Sequence, residues 1–482
     1  MSDRRTIVLY NPRSVFYTMP LALIAIGSGI DRRRFEVRII DGRLEPDPEA
    51  AVLAAVDDAL LLGITVLTGA PIRDALQVSR AAKARRPDLP VVWGGWHPSL
   101  FPASTLEEPA VDVTVQGQGE ATFAALVERL ADGEPLEGLA GIAFRDRTVA
   151  DTGSAEGRGA AVEGPPRPLT PMDDLAAADY DLVEVERYFE LKGQRQLDYI
   201  SSVGCHFRCA FCADPFVYGR GWTAISPARM GEQIEALWRR HRFTELAFQD
   251  ETFFTYPQRV EEIAGELLQR DLRFDWTATL RADQGVRLGE DRFAHCVRSG
   301  LRRVLVGVES GSQQMLDWME KDITIEQVLE TAAMCTRHGV AGIFPFIVGF
   351  PGESDESVGE TVALIKRLRA MSPAFETPLF YFKPYPGSKI TADMERAGHR
   401  LPDTLEAWAD FDFIGSAAPW VSDDKYRLIE RFKFYNRFAG GPRTWRRWPL
   451  QAVSRWRCRR DFYALPLEQK LIERIYPAPR LS

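Results

Sequence analysis

Short runs of apolar, β-branched residues alternate with amphipathic stretches along the first third of the chain. Strands that alternate with helices favour an α/β fold with a parallel, doubly wound sheet covered on both faces. One intervening helix is predicted at 73–86 and another at 120–130. The apolar runs predict five strands, at 6–12, 35–41, 60–66, 89–95 and 111–117.

Sheets of this kind bind ligands beyond the carboxyl ends of their strands. Glycines there let a ligand approach the backbone closely, and a helix N-terminus accepts polar groups. The chain lacks both G-x-G-x-x-G after the first strand and G-x4-G-K-[ST], which disfavours a nucleotide ligand. The candidate binding residues are those at the strand ends: Asn11, Pro12, Arg13, Thr65, Gly94, Gly95, His97, Gly117, Gly119 and Glu120.

A second series of strands and helices begins at Leu197. Six strands in repeating units predict a partial (β/α)6 barrel, whose site again lies at the strand C-termini. The six predicted strands are 197–203, 245–251, 274–280, 302–309, 341–350 and 380–387.

Composition shifts divide the chain. Residues 151–172 are rich in Gly, Ala and Pro, which is typical of a surface linker. We therefore expect a ligand-binding domain over 1–140, a linker over 141–190, a barrel over 191–415 and a basic, mainly helical region over 416–482.

The overall balance of residues is that of an ordinary globular protein. Of 482 residues, 45% are hydrophobic and 27% charged, and the net charge is -8, which argues against a general nucleic-acid-binding chain. No run approaches the ~18 apolar residues of a membrane span, and the start shows no signal-peptide core. The expected location is the cytoplasm.

The segment 425–460 reverses the overall charge. It holds 12 basic residues and one acid, Glu430, together with Trp445, Trp448 and Trp456. Two hypotheses are recognition of an anionic substrate and peripheral contact with an anionic membrane. The alternative is that its helices pack against the barrel and close its open side.

Three of the six cysteines stand together in GCHFRCAFC, at the spacing C-x3-C-x2-C. Compact spacing on one loop lets Cys205, Cys209 and Cys212 bind one iron–sulfur cluster. Zinc and inert buried thiols are the alternatives, but zinc sites usually have four protein ligands. The remaining thiols, Cys296, Cys335 and Cys458, are isolated and predicted to be structural.

This loop, placed directly after the first barrel strand, resembles that of radical SAM enzymes. The aromatic residue before their last cysteine is matched by Phe211. The resemblance implies a [4Fe-4S] cluster whose open iron binds S-adenosylmethionine. One-electron reduction, by a donor such as flavodoxin or ferredoxin, then yields methionine and a 5'-deoxyadenosyl radical.

Further matches extend over much of 195–390. The resemblance implies contacts to S-adenosylmethionine at strand ends, where the order Gln249-Asp250-Glu251 varies the usual motif and leaves open which carboxylate binds. The strand-end segments 280–283, 307–311 and 349–353 also resemble the family. The implied ligands of S-adenosylmethionine are Phe211, Gln249, Asp250, Glu251, Arg281, Glu309 and Ser310.

The N-terminal domain resembles the cobalamin-binding domain of the cobalamin-dependent subclass. The matching segments are Gly94–Pro98 and Gly117–Phe123. The D-x-H-x-x-G motif that ligates cobalt is absent, and members of the subclass often lack it. His97 is either a cobalt ligand or, more in keeping with its place beside two glycines, a hydrogen-bonding loop residue.

The resemblance implies a cobalamin-dependent methyltransferase. One S-adenosylmethionine methylates cob(I)alamin and a second yields the radical that activates an unactivated carbon of a small-molecule substrate. Oxidative cyclisation or rearrangement, as in the anaerobic cyclase of chlorophyll biosynthesis, is the runner-up. A cobalamin sensor is a third alternative, although a sensor needs no open iron. Methylthiolation of tRNA is disfavoured because that family has a different N-terminal domain, and no nucleic-acid partner is expected.

Overall fold

The computed structural model describes residues 4–146, 160–411, 419–440 and 448–475. They divide into two compact units. The first contains the described residues of Met1–Phe253, Gln258–Trp276 and Pro384–Asp412, and the second those of Phe254–Pro257, Thr277–Lys383 and Phe413–Ser482. Residues 151–159 of the predicted 151–172 linker, the 415–416 boundary and Trp445 lie outside the described residues.

All five predicted N-terminal strands are present. They form the parallel part of a sheet with the order β2-β1-β3-β4-β5-β6-β7. The strands are β1 (Arg5–Asn11), β2 (Phe35–Asp41), β3 (Ala59–Thr65), β4 (Val91–Gly94), β5 (Val113–Val115), β6 (Ile142–Asp146) and β7 (Ala160–Glu163). The helices between them are α1 (Leu21–Ser28), α2 (Pro48–Ala55), α3 (Pro71–Arg85), α4 (Trp96–Leu100), α5 (Pro102–Thr105) and α6 (Glu120–Asp132).

Two strands of this sheet were not predicted. β6 and β7 extend it in the antiparallel sense, and β7, inside the predicted linker, is the edge strand. Apolar clusters cover both faces of the sheet, which explains why β1 carries apolar residues in succession: Ile7 and Leu9 face one cluster, Val8 and Tyr10 the other.

The first unit continues into the predicted barrel. β8 pairs in parallel with β11, and β9 pairs antiparallel with β10. Its elements are the 3-10 turns Met172–Asp174 and Tyr180–Leu182, then α7 (Val185–Lys192), β8 (Gln196–Tyr199), β9 (Ser202–Gly204), α8 (Asp214–Val217), β10 (Trp222–Ala224), α9 (Pro227–His241), β11 (Glu245–Phe248) and α10 (Pro257–Gln269).

The second unit begins within β12 (Asp275–Arg281) and holds the remaining strands. β12, β13, β14 and β16 are successive neighbours in a sheet, and β15 pairs with β17. The strands are β13 (Leu301–Gly307), β14 (Ala341–Ile343), β15 (Phe346–Val348), β16 (Phe375–Glu376) and β17 (Leu379–Tyr381). The helices are α11 (Ala282–Leu288), α12 (Glu290–Arg298), α13 (Gln313–Trp318), α14 (Ile325–Arg337) and α15 (Asp355–Met371).

Five helices follow the last strand. α17 packs on α3 within the first unit, where Leu405 and Trp408 join the core of the N-terminal sheet. No described helix is long and apolar enough to cross a bilayer. These helices are α16 (Lys389–Arg396), α17 (Leu405–Ala409), α18 (Asp423–Ala439), α19 (Trp448–Arg460) and α20 (Leu467–Ile475).

Predicted strand 341–350 splits in two because of a proline. Pro345 lies between β14 and β15 and has no N–H to donate to a ladder. Predicted strand 380–387 ends early, at Tyr381, before Pro384 and Pro386. Predicted strand 197–203 is likewise divided, into β8 and β9, and the short strands β10 and β16 were not predicted. The alternation of strands and helices predicted for the barrel is otherwise confirmed.

Candidate active site

A cavity of about 850 Å³ lies within the first unit, at the carboxyl edge of the N-terminal sheet. This volume is in the range of sites for small molecules and cofactors. Eight of the ten predicted strand-end residues line it: Asn11, Pro12, Thr65, Gly94, Gly95, Gly117, Gly119 and Glu120.

Two glycines shape this edge by their backbone conformation. Gly95 has φ +97°, and a Cβ there would lie 3.1 Å from Thr65 Oγ1 and from the backbone of Val66. Gly117 has φ +65°. Both conformations disfavour residues with a Cβ, so the sheet edge stays bare of side chains beside the cavity.

Arg13 and His97 are not among the residues that line the cavity. The backbone N–H of Arg13 donates to Asp74 Oδ2 at 2.7 Å. His97 is fully buried against Phe101 and Trp408.

The imidazole of His97 is neutral at physiological pH. Burial lowers its pKa to about 4. Its Nδ1 lies 3.2 Å from Thr68 Oγ1, and no described residue hydrogen-bonds its Nε2. This environment matches the loop-residue interpretation better than a cavity-facing cobalt ligand.

The rest of the cavity lining comes from the first barrel strands and from segments that the sequence analysis did not single out. Among its residues are Tyr199, Val203, Tyr218, Gln249 and Glu251. The predicted linker adds Thr170, Met172, Leu175 and Ala176, and the loop after β1 adds Phe16, Thr18 and Met19.

Hydrogen bonds hold the linker at this part of the cavity lining. Gln118 both donates to Thr170 O at 3.2 Å and accepts from Thr170 N at 2.7 Å. Arg229 Nη2 donates to Leu175 O at 2.6 Å. Gln118 and Thr170 are 52 positions apart, so no local sequence pattern reveals their pairing. The linker was therefore predicted to lie on the surface.

The three clustered cysteines lie on a loop closed at its base by a short hairpin. β9 leads into the loop and β10 leaves it, with Gly204 opposite Trp222. A Cβ at Gly204 would lie 2.3 Å from Gly221 O, and its φ is +85°, so the hairpin can close only on glycine. Arg220 Nη2 donates to His206 O at 3.2 Å across the same base.

The residues Cys205, Cys209 and Cys212 are half-buried. Burial and the nearby Asp214 carboxylate together raise the pKa of the Cys212 thiol to about 12. Cys209 and Cys205 act on it in the same direction, so the three thiols are electrostatic neighbours. Without a cation, Cys212 therefore stays protonated; bound iron would favour its thiolate.

The donor set fits an iron–sulfur cluster with three protein ligands. Thiolates hold such clusters, each on a different iron. Within the described ranges, no group of three or more His, Cys, Asp or Glu side chains is arranged to hold a single metal ion.

The carboxylate of Asp250 forms its hydrogen bonds at the base of this loop. It is buried and accepts hydrogen bonds from Ser201 N at 2.6 Å and from Ser202 Oγ at 3.0 Å. Arg259 Nη2 donates to Ser201 O at 3.0 Å and to Ile225 O at 3.2 Å. The pair therefore joins the strands that enter and leave the cysteine loop.

Glu251, by contrast, lines the cavity. Its Oε2 accepts from Gly204 N at 3.2 Å. Glu251 is an exposed residue, yet partial removal of its carboxyl group from water raises its pKa to about 8, and the nearby carboxyl of Asp214 contributes in the same direction. Gln249 lines the cavity too and donates to Asp198 Oδ1 at 3.0 Å.

The predicted residues of the second unit form hydrogen bonds with other residues of that unit. Glu309, buried and with φ 71°, accepts from Lys321 Nζ at 2.8 Å. Arg281 donates to Asp283 Oδ1 at 2.9 Å and to Lys321 O at 2.6 Å.

Ser310 also serves the loop at this strand end, where its Oγ accepts from Ser312 N at 3.1 Å. Glu353, in the GFPGE segment, accepts from Phe350 N at 3.3 Å and from Gly349 N. Phe211 lies between two of the clustered cysteines and is not a lining residue of the cavity.

The isolated cysteines are buried, as predicted. Arginines flank Cys458 in the sequence, yet burial raises the pKa of its thiol, because removal from water outweighs the attraction of nearby cations.

Comparison with known proteins agrees with this geometry. Residues 7–127 match the B12 binding domain family, and residues 199–365 match the Radical SAM superfamily. Cobalamin, a [4Fe-4S] cluster and S-adenosylmethionine are the cofactors that these two domains imply. The fold and the site thus define a cobalamin-binding radical SAM enzyme.

The relatives narrow the class. An uncharacterized methyltransferase of Pyrococcus horikoshii is 30% identical over 77% of each chain. The anaerobic magnesium-protoporphyrin IX monomethyl ester cyclase of Rubrivivax gelatinosus is 27% identical over 78% of this chain and 65% of its own. This chain belongs to the cobalamin-dependent radical SAM methyltransferase family, and the cyclase alternative is weaker.

A solved structure shares the fold. The radical S-adenosylmethionine methyltransferase TsrM from Kitasatospora setae superposes with a TM-score of 0.69 at 20% identity, over 83% of this chain and 77% of that one. The comparison confirms the predicted succession of a doubly wound domain and a partial barrel.

Proposed function

We propose that this enzyme methylates a carbon atom of a small-molecule substrate in or beside the cavity of the first unit. The observation that carries the proposal is the composition of the cavity wall. Strand ends of the N-terminal sheet line this cavity, and so do Gln249 and Glu251, which lie next to the cysteine loop. One enclosed space is thus available to cobalamin and S-adenosylmethionine together.

Each group has a proposed role. Cys205, Cys209 and Cys212 hold the cluster, and the glycine-lined sheet edge holds cobalamin. Glu251 binds the ammonium group of S-adenosylmethionine, because its carboxylate faces the cavity while that of Asp250 is occupied by Ser201 and Ser202. When bound, these groups supply radical formation and methyl transfer.

The roles predicted for Arg281, Glu309 and Ser310 stay predictions. A one-electron donor such as flavodoxin or ferredoxin is the proposed protein partner, since the cluster must be reduced from outside. The proposed location is the cytoplasm. Because the segment 425–460 is basic, we also propose that it contacts a membrane surface.

Anaerobic reconstitution with iron, sulfide and hydroxocobalamin tests the cofactor assignments. We expect about four irons and one cobalamin per chain and a cluster EPR signal that shifts on addition of S-adenosylmethionine. Four irons without cobalamin would remove the methyltransferase proposal and leave radical chemistry intact. Failure to form any cluster would remove both.

Isotope labelling separates methyl transfer from cyclisation. The reduced holoenzyme is incubated with S-adenosylmethionine that carries a trideuterated methyl group. A methyltransferase transfers the label to cobalamin, whereas a cyclase forms 5'-deoxyadenosine with no label on cobalamin. The second result would favour the runner-up.

A further inference from the structure

The helix α19 buries polar side chains and exposes aromatic ones. Trp448 and Trp456 are 61% and 53% exposed. They are eight residues apart, which places both on one side of a helix. The buried residues of the same helix are Gln451, Ser454, Arg457 and Cys458. The apolar face of this helix therefore points outward.

The residues that follow continue this apolar surface. Leu467 and Leu471, one helical turn apart on α20, are 68% and 61% exposed, and Leu465 is 72% exposed. Phe462 contacts Trp456 with 5.7 Å between ring centroids. We call these side chains the C-terminal face: Trp448, Trp456, Phe462, Leu465, Leu467 and Leu471.

The charges beside the C-terminal face are positive and uncompensated. Arg459, Arg460, Lys470 and Arg474 are exposed, and their side chains have no ion-pair or hydrogen-bond partner among the described residues. Two acids nearby are engaged elsewhere: Asp461 pairs with Lys366, and Glu468 with Arg457 at 2.8 Å.

The first half of the basic segment behaves differently. In α18, Ile429, Phe432 and Tyr435 are buried. Tyr381 Oη donates to Glu430 Oε1 at 3.1 Å, which ties α18 to β17. This part packs against the second unit as the structural alternative predicted. On α18 Leu428 is exposed, whereas the later helices and the residues between them expose the six side chains of the C-terminal face.

We propose that the C-terminal face docks on the surface of an anionic phospholipid bilayer. Exposed tryptophan, phenylalanine and leucine side chains enter the boundary between headgroups and acyl chains, while neighbouring arginines and lysines bind anionic headgroups. The combination of these side chains with four unpaired cations favours a negatively charged, apolar partner over a neutral one. The inference is independent of methyl transfer.

Vesicle sedimentation of the full-length holoenzyme tests this inference. Sucrose-loaded vesicles of phosphatidylcholine alone are compared with vesicles that contain about a third of phosphatidylglycerol. We expect at least tenfold stronger partitioning onto the anionic vesicles, since each cation near such a surface adds about fivefold. Raising the salt concentration should reduce this difference.

Two variants separate the apolar and charged contributions. Trp448→Ser/Trp456→Ser/Leu467→Ser/Leu471→Ser should reduce partitioning at least tenfold. Arg459→Gln/Arg460→Gln should reduce it on anionic vesicles only. A matched control, Trp318→Ser/Leu268→Ser, removes side chains that are 46% and 40% exposed elsewhere and should bind vesicles like the wild type. Iron and cobalamin contents show that each variant is folded.

The other outcomes overturn the proposal. If wild-type protein stays in the supernatant with both kinds of vesicle, the face does not bind lipid. If the four-residue variant sediments like the wild type, another surface is responsible. Self-association in light scattering that the same variant abolishes, without vesicle binding, would assign the face to a second copy of the chain.

Discussion

Two glutamates at strand ends, one in each unit, differ in whether a cationic side chain pairs with them. In the first unit Glu251 lines a cavity, and burial without a cationic partner raises its pKa to about 8. In the second, Glu309 has a buried lysine at 2.8 Å. Both glutamates lie in segments that resemble the radical SAM family. Glu309 is paired with a lysine, whereas Glu251 has no cationic partner among the described residues.

This difference indicates what each glutamate contributes. A carboxyl group with a raised pKa and no cationic partner is stabilised in its charged form when a cationic ligand binds, so it is suited to binding. A buried carboxylate that already forms an ion pair contributes mainly to stability, because breaking the pair leaves a buried charge uncompensated. We infer that substitution of Glu251 changes ligand binding, whereas substitution of Glu309 changes stability.

The largest effect is expected for the cysteines. Cys209→Ala should lower the iron content of the reconstituted protein from about four per chain to below one, because three thiolates are the minimum set for this cluster. Cys335→Ala, in the second unit and buried within α14, is the control and should keep its iron. Iron and sulfide analysis measures both. Equal loss of iron in the two variants would contradict the assignment of the loop.

The next effect compares the two glutamates directly. Glu251→Gln should weaken binding of S-adenosylmethionine by about 10- to 100-fold, since a charge-assisted hydrogen bond is worth ~1.5–3 kcal/mol. Glu309→Gln should instead lower the free energy of unfolding by ~3 kcal/mol, because it removes the negative charge that lies 2.8 Å from the buried ammonium group of Lys321.

Equilibrium dialysis and urea unfolding measure the two quantities. Each variant serves as the control of the other. Reversal of the pattern, with binding lost in Glu309→Gln and retained in Glu251→Gln, would place the ammonium site in the second unit.

A smaller effect follows from pH. With a pKa of about 8, Glu251 is mostly protonated at pH 7 in the ligand-free protein, and binding an ammonium group requires it to lose that proton. Affinity for S-adenosylmethionine should therefore rise as pH increases from 6.5 to 8, by up to about tenfold per unit.

The titratable groups that face Glu251 are Asp214, Asp250 and Tyr218. The pKa of Asp214 is raised by burial to about 6, so its ionisation is largely complete over this interval. Titration calorimetry in two buffers of different ionisation enthalpy measures the released proton. Glu251→Gln should show neither the slope nor the release, and an unchanged slope would assign it to another group.

The sequence predicted those features that local patterns encode. Apolar runs located every strand of the first parallel sheet, and the cysteine spacing located the loop between β9 and β10. Pro345 stood within a predicted strand, and its interruption of that strand was available to sequence reasoning but not used. The antiparallel strands β6 and β7 were missed because 160–163 is short and follows a tract with linker composition.

The finer roles of site residues depended on contacts distant in sequence. The order Gln-Asp-Glu could not say which carboxylate is free, since this is decided by Ser201 and Ser202, about 50 residues earlier. Lys321 as partner of Glu309, and Thr170 as partner of Gln118, also come from chain segments that no motif connects.

The smallest predicted effect compares two glycines of the first unit, one at the cavity edge and one at the end of α6. Gly95 and Gly133 both have positive φ, +97° and +69°, so alanine at either site costs ~1 kcal/mol of backbone strain. A Cβ at Gly133 meets no atom within 4 Å, whereas one at Gly95 crowds Thr65 and Val66 at the cavity edge. Gly95→Ala should therefore weaken cobalamin binding by about tenfold beyond any loss of stability.

Gly133→Ala should lower the melting temperature by a similar amount and bind cobalamin normally. Absorbance titration with hydroxocobalamin, together with thermal unfolding of the ligand-free protein, measures both variants. If cobalamin binds equally to the two, the glycine-lined edge only permits a tight turn. If only Gly95→Ala loses affinity, the sheet edge itself forms part of the binding surface, as the cavity lining predicts.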